Sequence, residues 1–559
     1  MEVYDKEAVS PGYWFVAPYE EVAQKDASPA WNAPHIYDNN GDLIWSGAPM
    51  FNGFSTFDFR VVNVLGKPMI SLIIPHDDNA VILDETYNVY KKISPGPDRL
   101  EIGMTSLDIH EFMTSDNGTK ALYLTRNRRD ATKENSKVIG YDGNCFAVYS
   151  GFSEMDIETG EVVMAWDAEN HIGLDESVVT QVPVKKRCSR PGAPWDFLHG
   201  NSVDKFPNGD YLISGRRSSA IYKVSGTDGS IIWRLGGKKS DFELPVEFSG
   251  QHSAKVVSYN DTHTLISLLD NAYGPGDPQI TNEASRGLLL ALDTTSMVVE
   301  LVTEYKHPDG PDHYATGQGN MQMLPNGHAW ICFTELALHT EYDVNGTLIM
   351  RAEFEAKVRN YRSWKLPWVG QPSQPPDVYS GAVVNEGTTH TVVYMSWNGA
   401  TEVSEWHVYA TNARGKKRRL IATTPRRGFE TSVWAREFAN HVLVEAVDAD
   451  GKKLGESRVF ATVLPPLDPG VPWLEWAMSN SLITFFGGIL VCVFAASVAY
   501  GAWFSIQRAP FSRWRKSKEV YEPVSKADRE NVDFEDVDIS SEDAWESPQS
   551  GLLGEKDGV

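Results

Sequence analysis

The sequence predicts an all-β protein: a six-bladed β-propeller followed by a small β-sandwich, one C-terminal transmembrane helix and a disordered tail. Three observations predict it. Two hairpin patterns alternate from about residue 30 to 360 and recur at intervals of roughly 50–90 residues, the signature of stacked four-stranded units. A proline-rich passage, "YRSWKLPWVGQPSQPPDV", then separates this region from shorter alternating strands. Finally, "SLITFFGGILVCVFAASVAYGAWFSI" from Ser481 to Ile506 carries no charge and is long enough to span a bilayer, which takes about 20 apolar residues.

The first hairpin pattern alternates apolar residues, reaches a turn and resumes: "HIYDNNGDLIWSG", "EMDIETGEVVMAW", "IYKVSGTDGSIIWRLGG" and "TEYDVNGTLIMRAEF". The second is a turn followed by a strand: "DNGTKALYLT", "FPNGDYLISG", "NDTHTLISLLD" and "LPNGHAWICF". Residues 1–370 form the expected propeller. Residues 371–464 read as an immunoglobulin- or fibronectin-like sandwich, with "TVVYMSWNGATEVSEWHVYA" and "NHVLVEAVDADGKKLGESRVF" as alternating strands. Residues 465–480 read as a stalk, 481–506 as the membrane helix, and 507–559 as a basic juxtamembrane segment leading into an acidic tail too poor in aliphatics to fold.

Bulk properties exclude some partners. A formal net charge of −24 over 559 residues argues against nucleic acid, whose phosphates require Lys and Arg. The span is followed at once by Arg508, Arg513, Arg515, Lys516 and Lys518, which places that end in the cytosol and the first 480 residues in the lumen or outside the cell. The opening "MEVYDKEAVSPGYWFVAPYEEV" has no apolar signal-peptide core, so this topology expects a leader missing from the given chain. Three sequons in turn-like settings, at Asn117, Asn260 and Asn345, favour that expectation and are candidate glycosylation sites. Of four cysteines, Cys492 lies in the span and Cys332 in the apolar strand "AWICF" as a buried thiol. Cys145 and Cys188 sit in loop-like contexts and are expected to pair in an oxidising compartment; the spacing fits no zinc pattern.

The segment "WDFLHGNSVDKFPNGDYLISGRRSS", Trp195 to Ser219, concentrates the chemistry. Phe197, Val203, Tyr211 and Ile213 suit strands around a Pro207-Asn208-Gly209 turn, whereas His199, Asn201 and Arg216 fit a wet, functional surface better than a packed one. His110 in "LDIHEF" and His252 in "FSGQHSAKV" occupy matched positions on other repeats. Taken singly, each is more often a satisfied structural histidine. Together, three histidines, an asparagine and an arginine converging on a propeller funnel suit transfer of an anionic group without a metal. Histidine serves as nucleophile or acid–base at neutral pH, and arginine offers a planar fork to a tetrahedral oxyanion. There is no P-loop, no glycine-rich dinucleotide fingerprint, no GxSxG elbow, no HExxH and no CxxC, and "CSRPG" has its Arg and Pro in the wrong order for a sulfatase nucleophile.

These residues carry a resemblance. The run from Trp195 to Leu244, then "QHSAKVV", "ISLLDNAYG" and "SRGLLLALD", with "LDIHEFMTSDNGTKALYLT", "GFSEMDIETGEVVMAWDAENHIGLDES" and "GQGNMQMLPNGHAWI", resembles the arylsulfotransferase family, in its fungal, membrane-anchored branch. The likeness spans about residues 10–370 and is most specific from 195 to 255. It implies a six-bladed propeller whose central site moves a sulfuryl group from one phenol to another through a sulfohistidine, without the nucleotide sulfate donor. Residue by residue, it implies that His252 is the nucleophile, that His199 and Asn201 hold the sulfate and assist proton transfer, that Arg216 binds sulfate and that His110 is the remaining active-site histidine. Arg217 departs from the pattern, standing where relatives often have histidine.

The leading expectation is therefore a sulfotransferase taking an aryl sulfate donor and a phenolic acceptor, with no cofactor and no metal, anchored by a single span in the secretory pathway or at the cell surface. The other reading is a non-catalytic propeller that binds a ligand or a cell-surface partner, with the sandwich as spacer.

Overall fold

The computed structural model describes residues 1–464 except 20–31, 52, 76–78, 95–105, 180–183, 190–193, 273–279, 335–336, 355–357 and 386. No helix among these residues is long and apolar enough to cross a membrane. The expected stalk, span and tail lie outside the described residues.

Through residue 366 the chain builds antiparallel sheets in sequence order. The first contains Phe57–Val64, Lys67–Ile74, Asn79–Leu83 and Val89–Ile93. The second contains Ser106–Ser115, Lys120–Ala131, Cys145–Asp156 and Val162–Asp167, with Trp195–Asp196 added in parallel to its third strand. Gly200–Lys205, Tyr211–Gly215, Ala220–Val224 and Ile231–Gly236 make the third. His252–Tyr259, His263–Asp270, Arg286–Asp293 and Val298–Lys306 make the fourth. Asn320–Met323, Ala329–Phe333, Leu338–Tyr342 and Leu348–Glu353 make the fifth, with Glu2–Val3 along its outer edge.

The sixth sheet joins the two ends of this region. Its first strand is Arg359–Leu366, and its second is Tyr13–Tyr19, running antiparallel with Tyr13 opposite Leu366 and Tyr19 opposite Arg359. His35–Tyr37 and Leu43–Ser46 complete it. The first strands of the six sheets lie each against the next, and Arg359–Leu366 returns to Phe57–Val64, so the set closes on itself. Apolar clusters fill the seams. Phe152 and Trp166 of the second sheet meet Tyr211 and Ile213 of the third, and Leu212, Ile221 and Leu235 of the third meet Leu268, Leu288 and Leu290 of the fourth. Trp14 and Trp330 join the fifth to the sixth. Each fully buried side chain of this kind contributes about 1.5–3 kcal/mol of transfer free energy.

The two sequence patterns map onto different hairpins. The strand–turn–strand runs are the third and fourth strands of sheets two, three, five and six, and the turn-led runs are the second strands of sheets two to five with the turns that lead into them. The first sheet and the closing strand pair belong to neither pattern. Phe197 also departs from expectation: it lies in a bend between strands, although its side chain is fully buried.

Beyond residue 370, Asp377–Asn385, Thr388–Ser396 and Glu430–Ala435 face a second sheet of Arg419–Pro425, Glu405–Ala410, His441–Val447 and Lys453–Glu456. Trp406, Val393, Val408, Val442 and Val444 form the core between them. The proline-rich passage is docked at the junction. Trp368 is buried and its Nε1 donates to the Tyr87 hydroxyl, which donates to the Gly399 carbonyl at 2.8 Å. Ser46 and Asn398 exchange two hydrogen bonds beside it.

Candidate functional site

The first strands of the sheets bring polar side chains to the centre. His110 lies on Ser106–Ser115, Asn201 on Gly200–Lys205, and His252 opens His252–Tyr259. His199 precedes Gly200–Lys205, and Arg216 follows Tyr211–Gly215. The His110 and His199 rings meet edge to face with centroids 5.0 Å apart. The Arg216 backbone N–H donates to the His199 carbonyl at 3.0 Å, and Asn201 Nδ2 donates to the carbonyl of Gln251, the neighbour of His252, at 2.7 Å. One segment links the remaining pair: Arg216 Nη2 donates to the Thr316 carbonyl at 2.9 Å, and the Gln318 N–H donates to His252 Nε2 at 3.1 Å. The structure thus connects the five sequence candidates through bonds or ring contacts. It also corrects the expectation that His199, Asn201 and Arg216 line a wet surface: the relative exposures of all five run from 0% to 4%. Polar residue type had suggested solvent, but these side chains are buried among one another and the surrounding strands.

The histidines are held in two ways. The Asp108 carboxylate accepts from the backbone N–H of His110 at 2.9 Å and also contacts His110 Nδ1. Asp196 accepts from the backbone N–H of His199 at 3.0 Å and pairs its other oxygen with His199 Nδ1 at 2.6 Å. Arg126 stands between the carboxylates, with Nη2 2.9 Å from Asp196 and Nε 3.7 Å from Asp108. Burial pushes both carboxyls up, but the neighbouring histidine and Arg126 outweigh it and hold both below the usual range. His252 is held differently. Its Nδ1 faces two neutral acceptors, the Gly250 carbonyl at 2.9 Å and Asn271 Oδ1 at 2.8 Å. Asn271 cannot be turned around, because its Nδ2 donates to the carbonyls of Ala315 and Gln318. With Nδ1 donating and Nε2 accepting, His252 is the neutral Nδ1–H tautomer.

The backbone is unusual here. His199, Ser219, Ser253, Ala272 and Gln318 all have positive φ, between 49° and 62°. Such conformations cost of order 1–2 kcal/mol each for residues with a Cβ and persist only where surrounding contacts enforce them. Gly319, at φ 87°, has no such freedom of substitution: a Cβ there would stand 2.4 Å from Leu269 and 2.5 Å from the Cys332 carbonyl.

A second buried polar layer runs across the same strands. Arg362 donates to Glu111 at 2.9 Å and to the Asn201 carbonyl at 2.6 Å. Arg60 and Lys255 also pair with Glu111. Burial pushes Glu111 up, but three surrounding cations hold it far below the ordinary range. This layer ties four sheets together and supports Asn201 from beneath.

Among the described residues no group of three or more His, Cys, Asp or Glu could hold a metal ion. Cys145, at the start of a strand, and Cys188, at the end of the short helix Val184–Cys188, form a disulfide. Cys332 is free and buried, its thiol pushed up to about 12 by desolvation. Asn117, Asn260 and Asn345 all lie exposed between strands, Asn117 in the single 3₁₀ turn Asp116–Gly118.

Sequence reasoning missed Asp108, Asp196, Arg126, Asn271 and the Ala315–Gln318 segment. The two aspartates were visible in principle, as "DIH" and "DFLH", where a carboxylate two or three residues ahead of a histidine can accept its backbone N–H. Arg126 and Asn271 have no local signal, since their partners are distant in sequence: Arg126 meets Asp196 seventy positions on, and Asn271 meets His252, Ala315 and Gln318.

Residues 79–355 match the family model described as Arylsulfotransferase (ASST). No curated protein matches the chain. Solved structures similar to it include a protein of unknown function from Bacteroides caccae, at 12% identity and a TM-score of 0.35, covering 63% of this chain and 98% of that one. They also include hydrazine synthase of Kuenenia stuttgartiensis, at 10% identity and a TM-score of 0.31, covering 66% and 88%. A third is virginiamycin B lyase from Staphylococcus aureus, at 10% identity and a TM-score of 0.32, covering 71% and 96%.

Proposed function

We propose, from the family match over residues 79–355 together with the geometry of the centre, that this protein is a sulfotransferase of the membrane-anchored fungal kind, moving a sulfuryl group between phenols through a sulfohistidine and without a nucleotide donor. The observation that carries the proposal is the contrast among the three histidines. A carboxylate at Nδ1 fixes the ring's orientation and leaves Nε2 as the nitrogen that exchanges a proton, which suits His110 and His199 to proton transfer. Neutral acceptors at Nδ1 keep His252 uncharged with its lone pair on Nε2, which suits it to attack sulfur.

In the first step His252 Nε2 exchanges the Gln318 N–H for the sulfur of the aryl sulfate. The N–S bond forms, the S–O bond to the ring breaks, and the electron pair leaves on the phenolate oxygen. His110 or His199 gives that oxygen a proton. In the second step the same histidine takes the proton of the acceptor phenol, whose oxygen attacks sulfur and returns the electron pair to Nε2. Arg216 and Asn201 stabilise charge on the sulfuryl oxygens, where preorganised donors contribute most. In this reading the six sheets are the blades of a propeller whose centre is the site, closed by the pairing of Tyr13–Tyr19 with Arg359–Leu366.

Full-length protein in detergent, given 4-nitrophenyl sulfate and a phenol acceptor, should release nitrophenol in an acceptor-dependent way and gain the mass of one sulfuryl group after donor alone. Both should vanish in His252→Ala. No turnover across a broad panel of aryl sulfates would sink the proposal and favour the second reading, a non-catalytic propeller binding a ligand or a surface partner, for which the burial of all five candidates speaks.

The topology is a separate proposal: propeller and sandwich lumenal or extracellular, tail cytosolic. The exposed sequons and the Cys145–Cys188 disulfide support it. Protease added to sealed microsomes should remove only the tail, and glycosidase should shrink the protected product. Digestion of the propeller in intact microsomes overturns it.

A further inference from the structure

We propose that Arg126 is the positioning residue that joins the Asp108–His110 and Asp196–His199 pairs into one proton-transfer unit. This rests on the sulfotransferase reading for its kinetic consequence, though not for its geometry. The two pairs are built alike. In each, one buried aspartate accepts both the backbone N–H and the ring Nδ1 of its histidine. The two rings then meet at 5.0 Å and 83°. Such an arrangement puts two carboxylates side by side out of water, where like charges drive one of them to take up a proton. Arg126, reaching in from the Lys120–Ala131 strand, sets a guanidinium against both. Arg217 approaches the Asp196 side: its Nη1 donates to the Asp196 backbone carbonyl at 2.7 Å, and its charge helps hold the Asp196 carboxyl low, whereas Arg126 is the cation set against both carboxylates.

Without Arg126 one aspartate becomes an acid. Its oxygen then carries a proton, the Nδ1–H bond to its histidine is lost, and the ring is free to adopt the other tautomer. The proton for the leaving phenolate is no longer presented. This matters little for a phenol that leaves readily as its anion and greatly for one that does not, so the loss scales with leaving-group basicity, which a loss of fold would not do.

The test compares first-step rates with 4-nitrophenyl sulfate and with phenyl sulfate. In Arg126→Gln the nitrophenyl donor should react within about threefold of wild type while the phenyl donor slows about 30-fold or more, the general-acid contribution being of order 10²–10⁴. Arg126→Lys should recover most of the difference. An activity-independent arm reads the downfield Nδ1 proton resonances of His110 and His199, each assigned by its loss in the matching His→Gln variant. At least one should disappear in Arg126→Gln and both should remain in Arg126→Lys. If Arg126→Gln does not fold, the double variant Arg126→Gln with Asp108→Asn, which removes the repulsion, should fold and retain the His199 resonance; loss of that resonance overturns the proposal. Equal slowing of both donors, or both resonances unchanged in Arg126→Gln, also overturns it. A wild-type protein that turns over no donor overturns the sulfotransferase reading alone, and the resonances then decide for or against Arg126.

Discussion

His252 and the His110–His199 pair share one buried centre, yet their surroundings are opposite. His110 and His199 each lean on an ionised aspartate, and one arginine serves both aspartates. His252 leans on an amide and a carbonyl, and the amide is locked by its own two donations. In the proposed mechanism the same side chain serves two tasks, and the charge of the acceptor at Nδ1, more than depth of burial, is what separates the histidines that would move protons from the one that would offer a lone pair.

The largest test of this contrast removes a carboxylate. Asp196→Asn keeps the shape, but the carboxylate uses one oxygen for the His199 backbone N–H and the other for Nδ1 and Arg126, and an amide has only one acceptor oxygen, so His199 should lose its tautomer. Transfer from phenyl sulfate should fall about 10²–10⁴-fold in single-turnover assays. A loss under tenfold would leave His199 without a role in proton transfer.

Glu111 tests whether the contrast belongs to the histidine layer alone. It follows His110 in sequence but joins Arg362, Arg60 and Lys255 in the layer beneath. Glu111→Ala leaves buried cations uncompensated and should lower unfolding stability by about 3–5 kcal/mol in denaturant titrations. If stability holds and only turnover falls, the lower layer takes part in the chemistry and the division between layers fails.

Asn271→Asp gives His252 the surroundings of its neighbours. A carboxylate at Nδ1 favours the imidazolium, so the lone pair on Nε2 is lost at neutral pH. Activity should fall about 10–100-fold near pH 7, one to two units of pKa, and return as pH rises and the ring deprotonates. A pH profile parallel to wild type would mean that the amide contributes only to packing.

The smallest effect is on acid stability. Asp108 and Asp196 are held below the ordinary carboxylate range, so the unfolded chain binds protons that the folded one does not. Their contribution is present above the unfolded value of about 3.9 and is lost as pH falls through and below it. Asp196→Asn should flatten that acid limb, measured as unfolding midpoint against pH, whereas Asn271→Ala should leave its slope unchanged. Equal flattening in both variants would erase the distinction.

The legibility of the fold followed the range of the interactions. Turns such as "PNGD" and "ETGE" write a hairpin into a few adjacent residues, and sheets two to five were readable from them. The first sheet lacks such turns: Leu65 and Tyr87 take the positive φ there, at 51° and 63°. The pairing of Tyr13–Tyr19 with Arg359–Leu366 has no local cause at all. In the centre, His110, His199, Asn201, Arg216 and His252 were nominated by residue type and repeat position, while Arg126 and Asn271 looked like ordinary members of strand and loop.

Strand periodicity, turn chemistry and the positions of the chemically able side chains are properties of short windows, and the sequence determined them by itself. Which nitrogen of each histidine is free, which carboxylate stays charged and which arginine balances it were decided only in the tertiary structure. Protonation and tautomer depend on fields and hydrogen bonds a few ångströms long. Some of those bonds are short in sequence, as from Asp108 to His110 and Asp196 to His199, but others join residues 66 and 70 positions apart, His252 to Gln318 and Arg126 to Asp196, that become neighbours only when the sheets assemble.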